Sequence, residues 1–424
     1  MSKDKIKAQP FDCMQYFYGA VQKPLIRCLV RFSGHINESA LRRAVDLSIS
    51  AVPLISCCFD EHSHCWRKRG FHSGNVLHTI EAEAENGSEK AAQKALLSPI
   101  DFAREPQLKI FLVKTKEKDC LCIIISHMIS DGGGFKQYLY LLAGLYSKCA
   151  EDPAYCEPPA PLGRRGLGQL LQNLSFRDQC AALFAEMDSA KQDPAMRLSL
   201  KGDPSSPLIV IRRIEADSFV RMKRFAKINQ VSINDLLLTA YARAARRMSG
   251  CKTVTVPCPV DLRKYKKPNQ ICGICNLTGN YTCRVSIGER DSFSTTLNEV
   301  SRQMQKKKGS VSCLKGPMLY HILFHLVPFR AMQKLFYRIS PVPVTSYTNL
   351  GILEQTKFGF GNLGIEDAFL STAVKSAPYF QVSVSTYCDC CTLTSSIYGT
   401  DEDRKTVALF LSRMTDELES MLDL

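Results

Sequence analysis

His127 and Asp131 lie four residues apart in the segment Ile123-Ile-Ile-Ser-His-Met-Ile-Ser-Asp-Gly-Gly-Gly134. The apolar residues before the histidine read as a buried strand, and the glycines open a helix. An imidazole is the side chain best tuned to take a proton near neutral pH. Held where the chain leaves a strand, it can be fixed in one orientation and still face a cavity. The glycines let the backbone turn sharply and leave room for a narrow substrate arm. A lone histidine after an apolar strand, or an aspartate capping the next helix, is more often a structural residue. What favours chemistry is the whole HxxxDG arrangement together with three segments elsewhere.

Those segments are Val256-Pro-Cys-Pro-Val-Asp-Leu-Arg263, Asn276-Leu-Thr-Gly-Asn280 and Ser346-Tyr-Thr-Asn-Leu-Gly351. In this order, and over nearly the whole chain, the set resembles the superfamily of coenzyme-A-dependent acyltransferases. Its members include chloramphenicol acetyltransferase, plant HxxxD acyltransferases, alcohol acetyltransferases and the condensation domains of nonribosomal peptide synthetases. There are departures. The plant branch carries DFGWG where this chain has Lys357-Phe-Gly-Phe-Gly361, and the condensation branch usually has two adjacent histidines where Ser126 precedes His127. Both departures lean toward a free-standing alcohol-acetyltransferase-like member.

The resemblance implies an α/β fold of two chloramphenicol-acetyltransferase-like lobes with mixed sheets and a channel between them. It implies an acyltransferase in which His127 removes the acceptor's proton as its O or N attacks a thioester carbonyl, then protonates the departing thiolate. No acyl-enzyme, metal or permanently bound cofactor is needed. Asp131 and Gly132 would shape the site, with Asp131 paired to an arginine for which Arg263 is the candidate. Gly133, Asn280, Ser346 and Asn349 are candidates for the channel or substrate-binding wall. The expected donor is free acyl-CoA, its phosphates near basic side chains such as those of Arg263–Lys267 or Lys306–Lys308, and the acceptor a small alcohol or amine. That donor is favoured because 424 residues hold no carrier or adenylation module. Two rivals remain open. One is a condensation-type, amide-forming catalyst fed by an acyl carrier protein. The other is a degenerate member that binds without catalysis.

Other groups point less clearly to chemistry. Cys272-Gly-Ile-Cys275, the group Cys388, Cys390 and Cys391, and the segment holding His62, His64 and Cys65 invite a metal hypothesis. Their spacing lacks the paired CxxC of a zinc site, so small core cysteines are the better account. His321 and His325 stand among aromatics at helical spacing, which suits packing or a channel wall better than a second base.

The elements that must position the motif follow from periodicity. Ile26, Cys28, Val30 and Phe32 alternate as a strand. A helix over 38–51, capped by Asn37, closes at Pro53. Strands are expected at 54–59, 108–114 and 121–126, and a buried helix over 135–148. Residues 151–168, dense in Pro and Gly, read as a linker. Thereafter strands at 208–214, 253–260, 342–348, 380–387 and 392–398 alternate with helices, including one from Ile233 to about Met248, capped by Ser232, and one spanning 317–339. This divides the chain into an N-terminal lobe 1–165, a connecting region 166–206 and a C-terminal lobe 207–424.

Hydrophobic residues make up 45% of the chain and charged residues 23%, with a formal charge of +14. Nineteen cysteines without a signal-peptide pattern suit a reducing, cytoplasmic setting. No run approaches the roughly 18 apolar residues of a membrane span. The basic residues carry no nucleic-acid-binding fingerprint.

Overall fold

The computed structural model of the chain describes residues 4–83, 85–160, 162–186, 191–339 and 342–422. They form two compact units. The first comprises Met1–Gln169, Lys266–Leu277 and Ile352–Ala373; the second comprises Leu170–Tyr265, Thr278–Gly351 and Val374–Leu424. The division is therefore not a single cut along the chain.

The first unit is built on a five-stranded sheet in the order Ile365–Ser371, Leu25–Phe32, Asp119–Ser126, Leu108–Lys114, Leu77–Glu81. Neighbours are antiparallel except the last pair, which is parallel. The central strand, Asp119–Ser126, is buried at every position. Its β-branched and cysteine side chains suit a strand covered on both faces. The helix Gly132–Glu151 packs with Glu38–Ala51, where Ser48 Oγ meets Tyr138 Oη at 3.1 Å. Asn37 caps the latter helix through the Ala40 N–H, as its position before the apolar periodicity predicts. The helix Glu85–Leu96 also packs on the central strand, with Cys122 Sγ donating to Ala92 O.

In the strand Leu25–Phe32 the alternating pattern understates the burial. Arg27 is 1% exposed, its guanidinium donating to the carbonyls of Leu96, Leu25 and Thr372. Hydrogen bonds at the charged head are what allow a cation to occupy a core position.

The second unit carries a sheet in which Cys390–Tyr398 pairs with Pro207–Ile214 on one side, and with Phe380–Tyr387 and Val374–Ser376 on the other. The pairing with Val374–Ser376 is parallel, so this sheet is mixed as well. A hairpin-like pair, Thr253–Asp261 with Thr278–Ser286, keeps one register throughout. The helices Ile233–Ser249 and Asp401–Leu422 pack together, the former opened by a Ser232–Asp235 capping box. The architecture is α/β with mixed sheets, as the order of elements predicts. No helix among the described residues is long and apolar enough to cross a membrane.

Three local expectations change. Helix 317–339 is two helices, Lys315–Leu326 and Phe329–Ile339, because Pro328 lacks an N–H and forces Val327 into an extended conformation. The stretch 151–168, a linker by composition, is tied down: Leu167 is fully buried and Arg165 makes an internal ion pair; residue 161 lies outside the described residues. The cysteine group near 390 is a two-residue hairpin, with Cys388 and Asp389 both at positive φ between the paired residues Tyr387 and Cys390.

Candidate active site

The central strand ends at Ser126, and His127 follows it, partly buried, with its N–H donating to Pro24 O at 2.8 Å. Its ring nitrogen Nδ1 lies 3.1 Å from Asn276 Oδ1. The orientation of that amide is fixed independently, because Asn276 Nδ2 donates to the carbonyls of His127 and Met128 at 2.9 and 3.1 Å. The group facing Nδ1 is therefore an oxygen that can only accept. Nδ1 must carry the proton, and in the neutral ring Nε2 keeps its lone pair. This is the tautomer a general base needs.

Asp131 is 2% exposed and caps the helix Gly132–Glu151: Oδ1 accepts from the Gly134 N–H at 2.8 Å. Its other oxygen accepts from the Leu277 N–H at 2.7 Å, and its own N–H donates to Cys275 O at 3.4 Å. Asp131 thus clamps the segment that presents Asn276, so its influence on His127 passes through backbone position. Gly132 and Gly133 form the first turn of this helix.

A buried ion pair braces the same segment. Asp12, 1% exposed, accepts from both Nη atoms of Arg165 at 3.0 and 2.8 Å and from Trp66 Nε1 at 3.0 Å. Arg165 also donates to Ile129 O, inside the motif, and to Ile274 O, beside Asn276. Close backbone contact accompanies these bonds. Gly273 N donates to Arg164 O, and a Cβ on Gly273 would fall 2.3 Å from Gly163 O. The glycine of Cys272-Gly-Ile-Cys275 thus serves this crossing of two chain segments. Both thiols are buried, and Cys275 Sγ donates to Gly273 O. Among the described residues, no three His, Cys, Asp or Glu side chains gather as a metal ligand set.

The sequence-derived candidates divide between the units. His127, Asp131, Gly132 and Gly133 come together in the first, where Asn276 joins them. Arg263, Asn280, Ser346 and Asn349 belong to the second. There Arg263 Nη1 donates to Asp261 Oδ1 at 3.0 Å, and Ser346 Oγ donates to Phe380 O. Asn349 is exposed, donates to Asn234 and accepts from the Gly351 N–H. Asn280 is exposed, opposite Pro259 on its strand. His321 and His325 meet as tilted rings with centroids 4.6 Å apart, and burial, then His325, hold the His321 pKa below its usual value. Asn276, Asp12 and Arg165 were not among the candidates. Asn276 opens the segment Asn276–Asn280, of which only Asn280 is a sequence candidate, and an arginine in a Pro/Gly-rich stretch leaves no periodic signal.

No family model matches the chain. The first condensation domain of the calcium-dependent antibiotic synthetase superposes with a TM-score of 0.70 at 14% identity, over 99% of this chain and 97% of that one. The fold is that of the condensation domains. The epimerization domain from the third module of tyrocidine synthetase B gives 0.65 at 13% identity over 99% and 97% of the two chains. Polyketide synthase associated protein 5 from Mycobacterium tuberculosis gives 0.64 at 14% over 94% and 95%. By sequence, cyclosporin synthetase of Tolypocladium inflatum is 25% identical over 236 residues. That match takes in 52% of this chain but 2% of the synthetase. The beauvericin synthetase of Beauveria bassiana is 22% identical over 293 residues, 66% of this chain and 9% of that protein. The motifs and the fold thus agree on the superfamily that holds the coenzyme-A-dependent acyltransferases and the condensation domains, and the chain spans only a small part of the synthetases it matches in sequence.

Proposed function

We propose that this chain is a transferase of the condensation type, moving an acyl group from a carrier-bound thioester to an amine or hydroxyl acceptor, with His127 as general base. The observation that carries the reading is the Asn276 amide, whose oxygen faces Nδ1, so that the ring proton sits there and the lone pair on Nε2. As the acceptor attacks the thioester carbonyl, its proton passes to Nε2. Collapse of the tetrahedral intermediate breaks the C–S bond, and the same proton goes to the departing thiolate.

For the donor, the likeness to peptide-synthetase condensation domains supports a carrier-tethered thioester over the free acyl-CoA anticipated from the motifs. The deciding experiment offers one acyl group on a phosphopantetheinyl carrier protein and on coenzyme A, with thiol release and mass analysis of the acceptor product as readouts. Turnover with the carrier and at most weak turnover with CoA is expected. Equal or better use of acyl-CoA would restore the free-thioester reading, and release with neither donor would favour a binding role.

Asn276 makes the base testable by pH. Asn276→Asp places a carboxylate against Nδ1–H and stabilises the imidazolium, so the acidic limb of the rate profile should move up by roughly 1 to 2 pH units. Asn276→Ala should lower turnover without that upward move. An unshifted limb in the aspartate variant would show that Asn276 does not face the working base.

Asp131 is assigned a structural role, holding the Gly134 and Leu277 N–H groups. Asp131→Ala should lower thermal stability and activity together, because two buried N–H groups lose their acceptor at about 1–3 kcal/mol each. An Asp131→Ala variant as stable as the parent would remove this role.

A further inference from the structure

The stretch from Val300 to Leu353 contains no Asp or Glu but eight lysines and arginines. Within it lies the helical hairpin Lys315–Leu326 and Phe329–Ile339, whose arms serve neither the motif nor its bracing. The arms meet through aromatic side chains: Tyr320 packs on Phe336 at 6.0 Å and Phe324 on Phe329 at 6.4 Å. Met332 and Phe336 are buried.

What remains outside is apolar on one arm and basic on the other. From Gly316 to Phe329 there is no Lys, Arg, Asp or Glu, yet Ile322 is 41% exposed and Leu326, at the turn, 75%. On the second arm Arg330, Lys334 and Arg338 recur at helical spacing, with the half-exposed Tyr337 on the same face. These three cations form no ion pair among the described residues. Beside the hairpin packs the helix Phe176–Phe184, both of whose terminal phenylalanines are more than four-fifths exposed. Lys315 Nζ donates to Ala185 O at the end of that helix.

We propose that this hairpin docks the protein on an anionic lipid bilayer, with Leu326 and the turn entering the interface and Arg330, Lys334 and Arg338 meeting the headgroups. An uncharged arm ending in an exposed aliphatic turn, followed by a basic arm with an interfacial tyrosine, is the composition of an interfacial helix. The uncharged arm is too short to span a bilayer. A bilayer is favoured over an acidic protein because the exposed leucine, isoleucine and phenylalanines gain only by entering an apolar medium, whereas a charged partner surface would leave them wet.

The experiment sediments the full chain with vesicles of phosphatidylcholine alone and with about one-third phosphatidylglycerol. Binding is expected to the mixed vesicles only, and to weaken as salt rises. Reversing Arg330, Lys334 and Arg338 to Glu should weaken it by more than about 100-fold, since losing each cation near an anionic surface costs a factor of about five and the new carboxylates are repelled. The same reversal at the exposed Arg224, Lys227 and Lys405 should change it far less. Circular dichroism should show both variants folded. Leu326→Trp supplies an independent reading, because the chain's single tryptophan, Trp66, is buried. Its emission should move to the blue when mixed vesicles are added. The proposal is overturned if the chain stays in solution at low salt, if the two triple variants lose binding equally, or if the Leu326→Trp emission does not move. It is also overturned if an acyl carrier protein binds the hairpin while vesicles do not.

Discussion

Replacing His127 by alanine should leave a folded protein that has lost nearly all transfer from thioester to acceptor. General-base catalysis of this kind supplies about 10²–10⁴-fold, and that is the size of the expected fall in kcat. The fold should survive because only the partly buried ring is removed. Asn276 Nδ2 keeps its two carbonyl acceptors, and the His127 N–H keeps Pro24 O. Thiol release in a single-turnover assay measures the chemical step apart from carrier binding. A variant that turns over within a few-fold of the parent would remove His127 from the mechanism. Residual transfer from alignment of the two substrates alone would be consistent with it.

Arg165→Ala should be the most destabilising single change near the site, at about 3–5 kcal/mol, because it leaves the Asp12 carboxylate buried without its cation. Trp66 Nε1 and the Gln9 N–H still donate to Asp12, but neither brings charge. The loss should reach the site as well, since Arg165 joins Ile129 of the motif to Ile274 beside Asn276. Urea unfolding followed by Trp66 fluorescence reports this directly, because the single tryptophan touches the stranded carboxylate. Arg165→Lys keeps the charge but cannot reproduce the two-pronged contact with Asp12, so it should fall between parent and alanine variant. A change below about 1 kcal/mol for Arg165→Ala would mean that the neutral donors suffice.

Much of the local structure was legible along the chain. The Asn37 and Ser232 caps and the apolar run ending at His127 depend on residues close in sequence, and each formed where its pattern placed it. Pattern failed where a long-range contact overrode it. Arg27 breaks the reading of a half-buried strand because carbonyls from residues as distant as Thr372 satisfy its guanidinium. The stretch 151–168 has a linker's composition, but composition does not reveal that Arg165 finds Asp12, 153 residues earlier. The apolar pattern runs through Pro328, but a residue without an N–H ends the helix there.

For the site itself, the sequence alone determined which side chain could take a proton and that a strand end and a glycine turn would hold it. Those are properties of residue type and of neighbours within one turn of chain. Only the tertiary structure decided which nitrogen of His127 carries the proton, because that depends on an amide 149 residues away whose own orientation is set by two further carbonyls. A hydrogen bond is short and directional. Its partner is chosen by how the backbone folds back on itself, and no local pattern of hydrophobicity or charge records that choice.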